Sequence, residues 1–503
     1  MSRRAARWAA AGGFLFLVAL LVDLGAGYGV DDFWFLQVVE RVLHGEALYR
    51  DVYFGVTPLA VYLTAAPVAV TGGELAAVKA TCALLFAVSG LLSLHVAART
   101  GRLKRGELLL MAGALAAFAT TPSATPYAPL ALAAVMGSLV AVLSWTERSG
   151  RRTLALAGAL AGVALASKQS VGVAAVLALL ASLALCARLT RTSAKSLAAN
   201  AGTALAGVVA ATLLALAPVI ATRGLSGLAR HAAGKGAYLD RARISYLQGL
   251  QDQLDELAVR GPLDAAESLA RMAAYLLPPM ALAALAAALL LGPSSARPRL
   301  AVVGLFWGAA MSNLLPRADL PHMSPAAPAS LLLMACALAA LRERLPLRLP
   351  LRAAAALVAA ALLATAANPL QELVSGDSVG ARVPHLRWVL IDAALQRDLE
   401  GRADAIASAG RHGPTFLLLP DAGMYYLLSG LPNPTAYDYP LVTTLGERGE
   451  REIIGLLRRG EIRQVCAAAL PDSNLNDQRL LAYVRTNMQS AGTPGCRLFR
   501  TRG

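Results

Sequence analysis

The 503-residue chain is 57% apolar and only 15% charged, whereas soluble domains carry about 25% charged residues. These values exclude an ordinary soluble protein and predict a polytopic membrane protein. The net charge of +15 does not indicate nucleic-acid binding, because the basic residues lie mostly in short loops between apolar segments. In such loops they set membrane orientation and contact anionic lipid headgroups.

The first predicted element is an apolar segment over residues 8–24, preceded by Arg3, Arg4 and Arg7. This start resembles a signal peptide, but no convincing cleavage site follows. We therefore interpret it as a retained signal anchor whose N-terminus faces the cytoplasm.

Two adjacent acids, Asp31 and Asp32, follow this span at its outer end. One interpretation is helix capping, because an aspartate oxygen accepts hydrogen bonds from the free N–H groups of a helix. The other is catalysis, since transfer of a group onto a hydroxyl or an amine needs a base. A pair of acids exceeds what a cap needs, and carboxylates at the edge of hydrocarbon are often functional.

The acids open an outward segment, 25–73, in which two surface helices are predicted. Residues 32–44 alternate apolar and polar positions with the period of an amphipathic helix. Residues 58–71 are apolar but short and contain Pro67. Treating this stretch as a span would invert every later loop, so we predict that it lies along the membrane surface.

Later apolar segments long enough to approach the roughly 20 residues of a membrane span complete a prediction of about eleven spans. They cover residues 74–98, 108–121, 126–145, 153–167, 170–187, 197–221, 272–292, 300–315, 323–341 and 353–368. With a cytoplasmic N-terminus, the short inward loops carry 19 Lys and Arg residues and the short outward loops carry two. This bias predicts a multi-pass protein of the cytoplasmic (inner) membrane.

Lys168 is one of the two outward basic residues and interrupts a long apolar stretch. It could occupy a simple turn, with its ammonium group extending to water. Alternatively, it is a point-charge partner for a lipid phosphate. The sequence leaves both interpretations open.

Arg317, Asp319 and His322 lie in and beside the short outward loop after residue 315. They could form a local Arg–Asp pair with His322 capping the next helix. Alternatively, Arg317 binds a phosphate or phosphosugar, because its planar guanidinium suits two oxygens. Asp319 and His322 are then candidate substrate contacts.

The tail from residue 369 alternates helical and strand patterns. Predicted helices cover 385–409, 449–459 and 476–489, a helical stretch lies near Met424 to Leu428, and strands cover 416–419, 463–469 and 496–501. This alternation predicts a small α/β domain. The overall prediction is a mainly α membrane domain over 1–368 and an extracytoplasmic α/β domain over 369–503.

The sequence contains no GxxxxGK[ST] phosphate loop, no Asp-x-Asp pair in the first outer segment and no His/Cys group with metal-ligand spacing. No cofactor and no metal site are therefore expected. Cys466 and Cys496 could form a disulfide if the tail faces an oxidising compartment.

Several motifs in order resemble C-type membrane glycosyltransferases. They are Val30-Asp31-Asp32-Phe-Trp-Phe-Leu, then Gly45-Glu-Ala-Leu-Tyr49-Arg-Asp51, Thr57-Pro58-Leu-Ala-Val-Tyr62, Gly162-Val-Ala-Leu-Ala-Ser-Lys168 and, in the tail, Tyr425-Tyr426 through Asn433-Pro434-Thr-Ala-Tyr437-Asp438. The nearest branch contains protein O-mannosyltransferases, lipid A aminoarabinose transferases and rhizobial lipopolysaccharide glycosyltransferases. Relatives typically carry Asp-Glu where this chain has Asp31-Asp32, and several carry an acid where it has Thr-Pro-Ser-Ala-Thr-Pro-Tyr127.

The resemblance implies an enzyme that transfers a sugar from a polyprenyl-phosphate donor to an extracytoplasmic glycan, lipid or protein. Asp31 would be the general base, with Asp32 in support and inversion at the anomeric carbon. Lys168 and Arg317 would hold the leaving phosphate, and Tyr127 is a further candidate substrate contact. The alternatives are a flippase or secondary transporter for lipid-linked sugars and a non-catalytic envelope assembly subunit. Transporters often show internal repeats and mid-membrane broken helices, and the sequence shows no repeat between its halves.

Overall fold

The computed structural model describes residues 2–25, 27–119, 125–233, 243–259, 262–315, 317–344, 358–359, 361, 378–380, 382–468, 479–492 and 496–501. The chain divides into two compact units. Unit 1 comprises Met1–Ala26, Lys79–Ala217 and Ile244–Gln371, and unit 2 comprises Gly27–Val78, Pro218–Arg243 and Glu372–Gly503. The predicted domain boundary at 368–369 lies outside the described residues.

Helices make up most of the described chain. They are α1 (Arg3–Gly25), α2 (Val30–Leu43), α3 (Leu59–Thr71), α4 (Leu75–Thr100), α5 (Arg105–Phe118), α6 (Tyr127–Arg148), α7 (Arg151–Ser167), α8 (Gln169–Thr190), α9 (Ala194–Ala221), α10 (Leu225–Ala233), α11 (Tyr246–Val259), α12 (Pro262–Leu291), α13 (Arg297–Met311), α14 (Leu320–Arg342), α15 (Ala393–Gly410), α16 (Ala422–Ser429), α17 (Val442–Arg458) and α18 (Arg479–Asn487). A 3-10 turn, Ser312–Leu314, follows α13. The strands are β1 (Ser378–Gly380), β2 (Leu390–Asp392), β3 (Thr415–Leu418), β4 (Gln464–Ala467), β5 (Met488–Ser490) and β6 (Arg497–Thr501).

Seven helical segments among the described residues are long and apolar enough to cross a membrane. They are Ala5–Gly25, Leu75–Thr100, Tyr127–Arg148, Gln169–Thr190, Ala194–Ala221, Arg271–Leu291 and Leu320–Arg342. The predicted spans 108–121, 153–167 and 300–315 correspond to the shorter helices α5, α7 and α13, and most of 353–368 lies outside the described residues. The chain is a multi-pass helical membrane protein, as predicted.

Small residues allow close helix packing in unit 1. Gly158 and Gly162 lie one turn apart on α7, and a Cβ on Gly158 would lie 1.9 Å from the Ala204 carbonyl oxygen of α9. A Cβ on Gly207 of α9 would likewise clash with the Ala155 carbonyl oxygen of α7. Such spacing lets two membrane helices approach at backbone distance, where dispersion forces hold them together.

A buried ion pair explains the acid at the end of the first span. Lys79 Nζ of α4 lies 2.8 Å from Asp23 Oδ1 of α1, and both side chains are buried. Removing one partner of a buried ion pair is strongly destabilising, because the other charge loses its direct counter-ion.

The tail of unit 2 contains a four-stranded sheet in the order β3-β4-β6-β5. β3 and β4 are parallel, whereas β6 is antiparallel to both β4 and β5. The predicted strands 416–419, 463–469 and 496–501 correspond to β3, β4 and β6, and the α/β prediction is confirmed. Cys466 of β4 and Cys496 are disulfide-bonded, with Cα atoms 5.6 Å apart, within the usual range for disulfides.

Two predicted helix boundaries in the tail are wrong. The helix predicted over 385–409 starts at Ala393, because Asp392 caps it by accepting hydrogen bonds from the amides of Ala394 and Leu395. Residues 390–392 instead form β2, paired with β1. The helix predicted over 476–489 ends at Asn487, and β5 follows directly.

The polar face predicted for α2 is largely buried. Gln37 and Arg41 are each at most 7% exposed, because α2 packs against α16 and the turn beyond it. By contrast, α3 keeps an apolar exposed face that includes Leu63 and Val70. Such a face is typical of a helix that lies on a membrane surface.

Arg41 is the centre of a buried network within unit 2. Its guanidinium contacts both carboxylate oxygens of Asp438 at 3.0 Å, the Glu46 carboxylate at 2.5–3.1 Å and the Asp51 carbonyl at 3.1 Å. Asn433 Nδ2 donates a further hydrogen bond to Asp438 at 2.8 Å. Burial alone would lower the pKa of Arg41, but Asp438 and Glu46 raise it above its usual value. The network joins the Gly45–Asp51 motif to the Asn433–Asp438 motif.

His231 on α10 is expected to make unit 2 less stable in acid. Burial, with Arg230 and Arg448, lowers the pKa of His231 from 6.5 to about 4, and its ring packs 4.5 Å from that of Tyr53. Above pH 6.5 the imidazole is neutral in both folded and unfolded chains. As pH falls from 6.5 toward 4, only the unfolded chain takes up the proton, so stability falls.

We therefore expect unit 2 to unfold at a lower denaturant concentration at pH 5 than at pH 7, and His231→Phe to reduce this difference. The fluorescence of Trp34, which is buried in unit 2, reports the transition. His412→Phe, at an exposed position of the same unit, is the control. An unchanged pH difference in His231→Phe would contradict the assignment.

Candidate functional site

A polar cluster surrounds the junction of α7 and α8 in unit 1. Lys168 separates the two helices in an extended conformation and is only 9% exposed. Its ammonium group donates a hydrogen bond to Asn313 Oδ1 at 2.7 Å and lies 5.7 Å from the centre of the Tyr127 ring. The cation is therefore held inside unit 1. The simple turn interpretation required it to extend into water instead.

Asn313 connects Lys168 to the loop that carries the other predicted residues. It lies in the 3-10 turn after α13, is fully buried, and donates from Nδ2 to the His322 carbonyl at 2.8 Å. One amide side chain thus accepts from Lys168 and donates to the first turn of α14. These two hydrogen bonds fix the distance between Lys168 and the first turn of α14.

Arg317, Asp319 and His322 form a chain of contacts at the start of α14. Arg317 lies 2.8–2.9 Å from Asp319 Oδ2, and His322 Nδ1 contacts the other carboxylate oxygen. Burial alone would raise the pKa of Asp319, but His322 and Arg317 lower it to about 2. Asp319 is therefore ionised at neutral pH and orients both neighbours.

Unit 1 thus brings together every predicted residue that belongs to it. We call these residues, with Asn313, the Lys168 cluster: Tyr127, Lys168, Asn313, Arg317, Asp319 and His322. Two fixed cations against one carboxylate give the cluster a net positive charge in mostly apolar surroundings. Such an arrangement favours an anion. Among the described residues, no group of three or more His, Cys, Asp or Glu side chains could hold a metal ion.

The predicted acids Asp31 and Asp32 belong to unit 2 and differ in environment. Asp32 is 6% exposed and accepts a hydrogen bond from the Gly29 amide at 2.8 Å, closing the first turn of α2. This is the capping role considered for one of the pair. Asp31 is exposed at the second position of the same helix, so its carboxylate is accessible at the positive end of the helix dipole.

A tyrosine–arginine group lies beside the start of α2. The Tyr28 ring packs edge-on against Phe33, 5.4 Å between centres, and burial with nearby Asp421 raises the pKa of Tyr28. Arg402 of α15 donates to the Tyr425 hydroxyl at 3.0 Å, and burial with Asp421 raises the pKa of Tyr425 to about 12. These hydroxyls stay protonated at neutral pH and can donate hydrogen bonds.

Sequence reasoning missed Asn313, Tyr28 and Arg402. Asn313 interrupts an apolar stretch at the end of a predicted span, and this position could have identified it. No sequence pattern could have identified Tyr28 and Arg402, because their grouping depends on the packing of α2 with elements more than 350 residues away.

No family model and no curated protein match the sequence. Solved structures match the fold over nearly the whole chain, among them two of the same protein. The structure of ArnT from Cupriavidus metallidurans in the apo state is 16% identical, with a TM-score of 0.58, and the match covers 99% of this chain and 98% of that chain. The structure of the same ArnT bound to undecaprenyl phosphate gives 16% identity, a TM-score of 0.57 and coverage of 98% of both chains. The chain therefore shares the fold of ArnT over nearly its whole length.

Proposed function

We propose that the protein is an integral membrane glycosyltransferase that moves a sugar from a polyprenyl-phosphate donor to an extracytoplasmic acceptor. The whole-length likeness to ArnT, solved with undecaprenyl phosphate bound, carries the proposal. The Lys168 cluster supports it, because it offers a polyprenyl phosphate two fixed cations. The acceptor is a cell-envelope glycan, a lipid or a protein.

Lys168 and Arg317 are proposed to bind the donor phosphate. A polyprenyl-phosphate sugar is a phosphodiester with one negative charge, and departure of the sugar adds negative charge to the leaving phosphate. Cations that are already in position stabilise the more negative transition state more strongly than the ground state. This difference lowers the activation barrier. The hydrogen bond from Lys168 to Asn313 and the pairing of Arg317 with Asp319 hold these cations without substrate.

Asp31 is proposed to be the general base. It would accept the proton of the acceptor hydroxyl or amine while that atom attacks the anomeric carbon and the bond to the lipid phosphate breaks. Direct displacement inverts the anomeric configuration. Asp32 is proposed to support this step by fixing the first turn of α2.

Replacing either cation is expected to slow transfer by about 10²- to 10³-fold. If both act on one phosphate, Lys168→Gln combined with Arg317→Gln should lose less than the product of the single losses, because groups that act as a unit are non-additive. Initial rates of transfer measure this. Arg243→Gln, exposed in a predicted outward segment, is the control, and fully multiplicative losses would contradict a shared phosphate.

The proposed orientation places the N-terminus in the cytoplasm and the tail outside. The Cys466–Cys496 disulfide supports it, because disulfides persist in oxidising compartments. We expect protein from cells lysed in alkylating reagent to bind a thiol label at these positions only after reduction. Cys466→Ser with Cys496→Ser is the control, and labelling without reduction would contradict an outward tail.

Purified protein incubated with labelled polyprenyl-phosphate sugars tests the proposed function. The proposal predicts release of polyprenyl phosphate and a labelled acceptor with inverted anomeric configuration. Uptake of intact donor into vesicles without bond cleavage would instead identify a transporter. Binding with neither outcome, across a panel of donors and acceptors, would favour an assembly subunit.

A further inference from the structure

A cavity of about 860 Å³ lies in unit 1 at the ends of six helices. It is lined by residues at the C-terminal ends of α4, α6, α8 and α14 and near the N-terminal ends of α9 and α13. None of the residues proposed to act in sugar transfer lines it. Its volume lies in the range of about 300–1,000 Å³ that is typical of ligand sites.

The cavity and the Lys168 cluster lie at opposite ends of the same helices. Lys168 immediately precedes α8, whereas Leu183 to Thr190 at the other end of α8 line the cavity. The 22 residues of α8 span about 33 Å, close to the thickness of a bilayer core. Likewise, α6 runs from Tyr127 in the cluster to Trp145 in the cavity wall. The cavity therefore opens at the membrane surface opposite the cluster, the side proposed to be cytoplasmic.

The cavity wall is amphipathic. Leu143, Leu183 and Leu300 contribute apolar surface, whereas Thr146 and Thr190 contribute hydroxyl groups. A soluble metabolite would gain little from the leucines. The hydroxyl groups already donate to backbone carbonyls of their own helices, but each can still accept a hydrogen bond from a polar head. The lining fits a molecule with a polar head and a hydrocarbon body.

The charges of the wall favour an anionic head. Glu147 is neutralised by an ion pair with Arg99, but Arg102 and Arg299 have no acidic partner among the residues that the structure describes. Glu343 also lines the wall. Its single negative charge against the two arginines leaves the wall with a net positive charge. Trp145 adds the amphipathic ring that is common at the level of lipid headgroups.

We infer that this cavity binds the phosphate headgroup of a membrane lipid, separately from the sugar donor. Arg102 and Arg299 contact the phosphate, and the leucines contact the first carbons of the lipid chains. A lipid seated among these six helix ends also stabilises unit 1, because a ligand that binds only the folded state shifts unfolding by mass action.

Fluorescence quenching in delipidated protein in detergent tests the inference. Phosphatidylglycerol with brominated chains is added, and the contribution of Trp145 is isolated by comparison with Trp145→Phe. We expect saturable quenching that weakens at least about tenfold in Arg102→Gln combined with Arg299→Gln, since each charged hydrogen bond contributes appreciably to binding. Arg105→Gln changes an exposed residue at the start of α5 that is not in the wall, and this variant should bind like the wild type.

Competition identifies the source of the phosphate. Displacement of the brominated lipid by phosphatidylglycerol or polyprenyl phosphate supports the inference, and the tighter competitor identifies the lipid class. Equal displacement by uncharged diacylglycerol or by inorganic phosphate alone would overturn it. Unchanged binding in the double variant would also overturn it.

Discussion

Asp31→Asn is expected to reduce sugar transfer by about 10²- to 10⁴-fold, the usual contribution of a positioned general base. Asparagine keeps the size and polarity of the side chain but cannot accept the acceptor proton. Because Asp31 is exposed and asparagine has nearly the same volume, the fold should tolerate the substitution. Measured initial rates should therefore fall while the yield of folded, membrane-inserted protein stays the same.

Two variants separate this chemical effect from a structural one. Asp404→Asn replaces an exposed acid of α15 in the same unit and should transfer at the wild-type rate. Asp32→Asn weakens the cap on the Gly29 amide and should lower the stability of unit 2 as well as the rate. Wild-type activity in Asp31→Asn would rule out Asp31 as the base.

Arg41→Ala is expected to destabilise unit 2 by about 3–5 kcal/mol, the cost of breaking a buried ion pair from one side. Asp438 is 1% exposed, and without Arg41 its carboxylate would keep only the hydrogen bond from Asn433. Glu46 and Asp51 of the first outer segment also contact Arg41. Without Arg41, the motif at 45–51 would lose its link to the motif at 433–438. Denaturant unfolding followed through Trp34, which stacks on Phe54 and Tyr439, measures the loss.

Matched changes at Arg41 and Arg50 identify the cause. Arg41→Lys keeps the charge but not the planar fork that contacts both oxygens of Asp438, so an intermediate loss is expected. Arg50→Ala removes an exposed pair with Asp51 and should change stability little. Equal stability of Arg41→Ala and Arg50→Ala would contradict the importance of the buried network.

The membrane helices were predictable because their signal is local: a long apolar window must cross a bilayer or be buried. The short helices α5, α7 and α13 were also found, because basic loops fixed the direction of each segment. Tail boundaries failed where a single side chain decides the start of a helix, as Asp392 does for α15.

The contacts of the candidate site were less predictable than its residues. Lys168 and Arg317 were selected because isolated charges in apolar surroundings need partners. Their partners depend on helix packing: Lys168 and Asn313 are 145 residues apart. Arg41 and Asp438 are 397 residues apart, and the periodicity of α2 predicted an exposed Arg41. Local pattern cannot reveal a buried partner so distant in sequence.

Asp31 can act on an extracytoplasmic acceptor only if it lies on the outer side of the membrane, and thiol labelling determines that side. Asp31→Cys, prepared with Cys186 replaced by serine, is treated in intact cells with a thiol reagent that cannot cross the inner membrane. Ser193→Cys, exposed in the loop between α8 and α9, marks the proposed cytoplasmic side. We expect residue 31 to react from outside and residue 193 to react only after the membrane is opened. Reaction of residue 31 solely from the cytoplasmic side would contradict an outward-facing transferase.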